Sequence, residues 1–378
     1  MSKEEQKEMM ALSPVLGKEC LLYHGFPKEQ GSLAVQWSSP TLLTQGHSIL
    51  LKCIANLPFP QMTHPEKQRG ENLTELMEFV LLDFADVPHL QGFLFGLFFI
   101  IYIIILMSNG IIFIITKLDP VLQSPMYFFL GNFSFLEICY ASVTLPRMLV
   151  NLVTQRRRIS VVACAFQMCL VLIFGATECL LLVVMAYDRY VAICNPLYYP
   201  LVMNHRFCVQ LVIGSWIMGI PVIIGQTYQI FTLHFCGSNQ INHFFCDISP
   251  ILKLACEDTY INEMVVFIAA LLIILIPFIL ILASYSKIIF TILKFPSTTS
   301  RTKAFSTCSS HLIVVVLFYG SGMSTYLRPK TNQPEGTGKV LSLFYTILTP
   351  MFNPMIYSLR NKDVMDALRK LLCNKSLH

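Results

Sequence analysis

Met185-Ala186-Tyr187-Asp188-Arg189-Tyr190-Val191-Ala192-Ile193-Cys194-Asn195-Pro196-Leu197 closes an apolar, almost uncharged run that begins at Val161. An adjacent acid and base, Asp188 and Arg189, stand at its end. A helix that finishes this way has just left a membrane, or places an ion pair at the membrane edge.

Composition agrees with a membrane solvent. The chain has 378 residues, of which 54% are hydrophobic and 13% charged. Soluble domains carry roughly 25% charged residues, so these values indicate a multi-span membrane protein. The net charge of +5 is small and scattered, which argues against a nucleic-acid partner.

A spanning helix needs about 20 predominantly apolar residues. Seven segments meet that standard: 93–115, 126–150, 161–187, 207–231, 264–286, 304–327 and 340–359. The expected fold is therefore an all-α membrane protein, a seven-helix bundle occupying residues 92–360. Pro146, Pro221, Pro277, Pro350 and Pro354 fall inside spans, where neighbouring helices can satisfy the carbonyls they free.

Residues 1–61 are proline-punctuated, lack a helical period and contain no signal-peptide pattern. They read as a disordered N-terminal extension, either an upstream start before Met62 or a long tail, with residues 62–91 as the extracellular N-terminus. Seven spans put the termini on opposite sides. Lys and Arg divide almost evenly between the two sides, and Arg156-Arg157-Arg158 opposes the positive-inside rule. Asn72-Leu73-Thr74, a glycosylation triplet, agrees with an outside N-terminus. The protein is expected at the plasma membrane, multi-pass, with its C-terminus in the cytoplasm.

Cys236, Cys246 and Cys256 share the loop between the fourth and fifth spans, and Cys164 opens the third span on the same side. Four cysteines on one face imply two disulfides in an oxidising compartment; spacing alone leaves three pairings open. His243-Phe244-Phe245-Cys246-Asp247 also reads as a metal motif, yet a Cys246 held in a disulfide offers no thiolate. At the other end, residues 361–378 hold Val364, Met365, Leu368, Leu371 and Leu372 on one face. Lys362, Asp366, Arg369 and Lys370 lie off that face, as in a short amphipathic helix resting on membrane lipid.

Glu137 and Glu178 lie inside spans, where acids are costly and usually face the bundle interior. Glu178 precedes Arg189 by eleven residues, three turns, so the two share one helix face. Continued upward, that face carries Met168, Val171, Leu172 and Gly175. Facing spans offer Ala269, Ala270, Ile273, Tyr319, Gly322, Met323, Tyr326 and Thr346. This set is apolar with a few hydroxyls and no charge, which suits a small neutral ligand and disfavours an amine. Lys330 stands at the outer end of the sixth span.

Five blocks in order carry a resemblance: Leu122 to Leu130, Met185 to Cys194, Ser284-Tyr285, Lys303 to His311 with Phe318-Tyr319-Gly320, and Pro350 to Tyr357. Together they resemble the olfactory receptors, a branch of the rhodopsin-like G-protein-coupled receptors, with Glu137 to Tyr140 and Pro146 to Leu149 leaning toward family 10. The resemblance implies disulfides Cys164–Cys246 and Cys236–Cys256, an odorant as ligand, and a heterotrimeric G protein of the stimulatory olfactory type, raising cyclic AMP. It assigns coupling and activation to Asp188, Arg189, Tyr190, Leu197, Tyr285, Lys303, His311, Asn353, Pro354 and Tyr357. Asn109, Glu137 and Asn353 match polar positions that meet mid-bundle in such receptors, which implies either a structural sodium ion at Glu137 and Glu178 or a protonated, hydrogen-bonded pair of carboxyls. Glu137 departs from the usual aspartate there. No other cofactor is implied. The rival class, a transporter or channel with Glu137 and Glu178 as its ion path, calls for internal repeats and helices broken in matching halves; the sequence has neither. No nucleophile–base spacing points to an enzyme.

Overall fold

Helices α1 (Gln91–Leu118), α2 (Pro125–Thr154), α3 (Val161–Cys194), α4 (His205–Phe231), α5 (Tyr260–Leu293), α6 (Thr298–Tyr326) and α7 (341–359) are each seeded by one apolar run. The computed structural model describes residues 78–82, 90–154, 157–236, 238–294, 297–327, 341–359 and 362–374. Asn72, the proposed extension before Met62 and Lys330 lie outside them. Five helices, α1 to α5, are long and apolar enough to cross a membrane by length and composition. The apolar stretch of α6 is His311–Tyr326.

Most helices outrun their apolar segments. The reason is that backbone hydrogen bonding continues past the hydrocarbon layer wherever a cap can end it. Ser160 caps α3 by accepting from the Ala163 N–H at 3.3 Å, and Asn204 caps α4 by accepting from Phe207 at 3.0 Å. The α3 helix reaches Cys194, seven residues beyond the expected end, so Asp188, Arg189 and Tyr190 are helical.

Two π-helical turns mark where proline interrupts the pattern. Leu271–Leu275 sits just before Pro277 in α5, and Phe344–Leu348 just before Pro350 in α7. Proline removes one donor and crowds the preceding turn, and a widened turn absorbs both effects. In α7 the Phe344 carbonyl accepts both from the Thr349 backbone N–H and from the Thr349 hydroxyl, the latter at 3.0 Å.

Close approach depends on two glycines. A Cβ on Gly131 would lie 2.6 Å from Thr116 Oγ1, and one on Gly219 would lie 3.0 Å from the Ala176 Cβ. Gly131 thus brings α2 onto α1, and Gly219 brings α4 onto α3. The largest buried cluster joins α2 to α6 through Phe133, Leu182, Met185, Ile281, Tyr285 and Tyr319.

At one end of the bundle, three short strands form a lid. β1 (Glu78–Leu81) lies between β2 (Arg158–Ser160) and β3 (Gln240–Ile241), antiparallel to the first and parallel to the second. Phe79 and Leu81 are fully buried beneath it, beside Ile159, Ile241 and Ile251. Disulfides join Cys164 to Cys246 and Cys236 to Cys256, each with a Cα–Cα separation of 5.5 Å. At the opposite end α8 (Lys362–Asn374) tucks Val364 and Ala367 against Ile112, Ile115 and Leu122, and Lys370 reaches Asp119 at 3.7 Å.

Candidate functional site

Beneath the lid lies a cavity of about 100 Å³ walled by α3, α4, α5 and α6. Val171, Leu172 and Gly175 reach it from α3, Ala269, Ala270 and Ile273 from α5, and Tyr319, Gly322 and Tyr326 from α6. The π turn in α5 helps to aim Ile273 and Ile274 inward. No charged side chain stands on the wall among the described residues.

Three of the residues expected there lie elsewhere. Met168 packs under the lid with Phe79 and Cys246, Met323 packs against the large central cluster, and Thr346 is fully buried with its hydroxyl given to the Ser342 carbonyl at 2.6 Å. Thr346 sits within the π turn of α7. The wall also includes Tyr140, Gln226, Ile248 and Tyr345, which sequence reasoning did not select. Nothing in the periodicity of α4 distinguishes Gln226 from a lipid-facing residue; a polar side chain in an apolar span was the available signal.

Most of the wall's hydroxyls are already engaged. Tyr319 donates to the Cys179 carbonyl at 2.9 Å, Tyr326 to Asp247 Oδ1 at 3.0 Å, and Tyr345 shares a 3.1 Å hydrogen bond with Ser342. Ser342 in turn meets His243 Nε2 at 2.9 Å, so the His243 ring serves the lid's anchorage and not a metal. Gln167 completes the anchorage: its carboxamide accepts from the Cys246 N–H at 3.1 Å and donates to the Val143 carbonyl at 3.0 Å.

Below the cavity comes a polar centre. Asn353 donates to a Glu137 carboxylate oxygen, and Glu178 lies within hydrogen-bonding reach of the same carboxyl group. Asn109 donates to the Pro350 carbonyl at 3.1 Å. All four side chains are at most 1% exposed. Asn109 Oδ1, Glu137 Oε2, Glu178 Oε1 and Asn353 Oδ1 have no protein partner. Every orphaned atom of this cluster is thus an acceptor oxygen, the donor set a hard cation prefers. Among the described residues no group of three or more His, Cys, Asp or Glu could hold a metal, so a transition-metal centre is not built here.

The Arg189 end closes the series. Asp188 is 1% exposed and accepts a 2.9 Å hydrogen bond from Tyr199, on the short helical turn Tyr199–Val202. Among the described residues no ion pair joins Asp188 to Arg189. The ion pair that the adjacent acid and base suggested is therefore not formed: consecutive helical residues point about 100° apart, and Asp188 takes Tyr199 in place of Arg189 as its partner. Burial, followed by the Asp188 carboxylate, raises the Tyr199 phenol above its ordinary value, so it remains a donor. Tyr190 is half-buried beside the central cluster, and Leu197 is 87% exposed. Tyr285 and His311 stack with ring centroids 5.6 Å apart, both buried. The Tyr285 hydroxyl and both His311 nitrogens lack a hydrogen-bond partner. Asn353 and Pro354 are buried in α7. The side chains of Lys303 and Tyr357 lie outside the described part.

Residues 98–375 match the family model described as olfactory receptor. Among curated human proteins, olfactory receptor 10AG1 is 62% identical over 296 residues, covering 78% of this chain and 98% of that protein. Olfactory receptor 10A7 is 52% identical over 307 residues, covering 81% and 97%. Olfactory receptor 10C1 is 51% identical over 301 residues, covering 80% and 96%.

Proposed function

Because the chain belongs to the olfactory receptor family, a receptor family and not one of enzymes, we propose that its cavity binds a small neutral odorant and that binding is relayed to a heterotrimeric G protein. The observation that carries this is continuity along α3. One helix bears the lid disulfide at Cys164, the cavity wall at Val171 and Gly175, the polar centre at Glu178 and the Arg189 end.

An uncharged, largely apolar wall favours a neutral ligand, since an ion entering it would lose its hydration without a counter-charge. A ligand that binds one arrangement of α6 better than another shifts the bundle toward it. The partnerless Tyr285 and His311 supply the second arrangement with a driving term, because buried polar groups are seldom left unpaired. Outward movement of α6 would open the space around Arg189, Tyr285 and Leu197 to a G-protein helix, of the stimulatory type that raises cyclic AMP. On this reading the disulfide-bearing lid and the N-terminus face the oxidising exterior, and α8 lies on the cytoplasmic leaflet. A sodium ion would be held by Glu137, Glu178, Asn109 and Asn353, supplying the positive charge that two adjacent buried carboxyls lack.

Arg189→Ala tests the relay in cells carrying a cyclic AMP reporter. Ligand-dependent signal should vanish while surface labelling and ligand-induced thermal stabilisation persist. Undiminished signal in the variant would refute it.

A further inference from the structure

We propose that Gln226 selects the ligand by hydrogen bonding to it, and that the ligand class is a neutral apolar molecule bearing a carbonyl or ether oxygen. This rests on reading the cavity as the ligand site.

Gln226 projects from α4 onto the cavity wall beside Ile223, Val266 and Ala270, and is 7% exposed. Its Nε2 is buried and has no partner. Three tyrosine hydroxyls on the same wall are committed to Cys179, Asp247 and Ser342. The carboxamide Nε2 is therefore a buried donor on a cavity-lining residue with nothing from the protein to satisfy it. Buried N–H donors are rarely left orphaned, carbonyl oxygens somewhat more often, so the need is for an acceptor. A ketone, aldehyde, ester or ether oxygen meets it without bringing a charge. An alkane fills the volume and leaves the donor stranded, whereas a carboxylate or ammonium finds no counter-ion. The neighbouring alanines on α5 leave room for the ligand's hydrocarbon body.

The test uses the full chain, solubilised in detergent, with matched series of aliphatic ketones, esters, alkanes and carboxylic acids. The reading is the concentration dependence of thermal stabilisation, alongside the cyclic AMP response in cells. In the wild type, ketones or esters should bind more tightly than alkanes of the same shape. Gln226→Leu and Gln226→Met should each weaken oxygenate binding about tenfold, the scale of one neutral hydrogen bond lost at a buried site, and should not weaken alkane binding, because no donor is then left stranded. An oxygenate preference surviving in both variants overturns the proposal, as does its removal by Tyr140→Phe alone or a wild-type preference for alkanes or acids. Gly175→Leu separates the two levels: a Cβ there meets nothing within 4 Å, so the larger side chain fills the cavity. It should abolish binding of every class. Binding that survives it, or a wild type that binds none of the compounds, overturns the cavity reading along with the role of Gln226.

Discussion

The Tyr319 hydroxyl donates to the main-chain carbonyl of Cys179 across 2.9 Å, both residues being buried. One oxygen thereby connects the cavity wall on α6 to the α3 turn that carries Glu178. A helical carbonyl already accepts within its own helix, so this bond is an addition that sets the distance between α3 and α6.

Tyr319→Phe should loosen that tie. A neutral hydrogen bond contributes about 1 kcal/mol net, which corresponds to a roughly fivefold shift in a two-state equilibrium. Ligand-independent cyclic AMP, normalised to surface expression, should rise several-fold. An unchanged or lowered basal signal would mean that the bond does not hold the resting arrangement.

Tyr199→Phe strands the Asp188 carboxylate, which is 1% exposed. A hydrogen bond to a charged group is worth about 1.5–3 kcal/mol, so the melting temperature of the solubilised protein should fall. Asp188→Asn in the same background removes the uncompensated charge and should recover part of the loss. Equal melting of the single and double variants would point to a different cause.

Sodium should stabilise the protein through the polar centre. Replacing sodium chloride by choline chloride at constant ionic strength should lower the melting temperature of the wild type. Glu178→Gln should make it indifferent to the exchange. A salt response of the same size in both proteins would assign it to the surface.

The two disulfides should differ in weight. They close 82 and 20 residues of chain, for which loop entropy gives about 4.5 and about 3 kcal/mol. Surface expression of Cys246→Ser should therefore fall further than that of Cys256→Ser, as flow cytometry of an N-terminal tag would show.

The spans and the wall face of α3 were legible because membrane helices announce themselves by composition, and one helix face can be counted from Glu178. Family-bearing blocks such as Pro350 to Tyr357 supplied the residues proposed for activation. What stayed hidden depends on tertiary partners. Tyr199 lies eleven positions from Asp188 and on a separate turn, so no periodicity pairs them. Thr346 lies inside the π turn of α7 and gives its hydroxyl to Ser342 of the same helix, a local geometry that composition does not display. Gln226 stayed hidden because the periodicity of α4 does not separate a wall residue from a lipid-facing one, and β1 because four residues give a weak strand signal.

β1 also fixes an order of events during synthesis. Glu78 leaves the ribosome well before Asn239, whose side chain bonds its carbonyl from 161 positions away. The strand can pair with β2 once Ser160 has emerged, but its other edge must wait, unpaired, while α3 and α4 enter the bilayer and β3 emerges. Its two hydrogen-bonding edges are filled by loops that flank α3 and follow α4, so the finished lid certifies that those helices have been threaded correctly. A chain whose middle helices are inserted wrongly would leave Phe79 and Leu81, both fully buried here, without their cover.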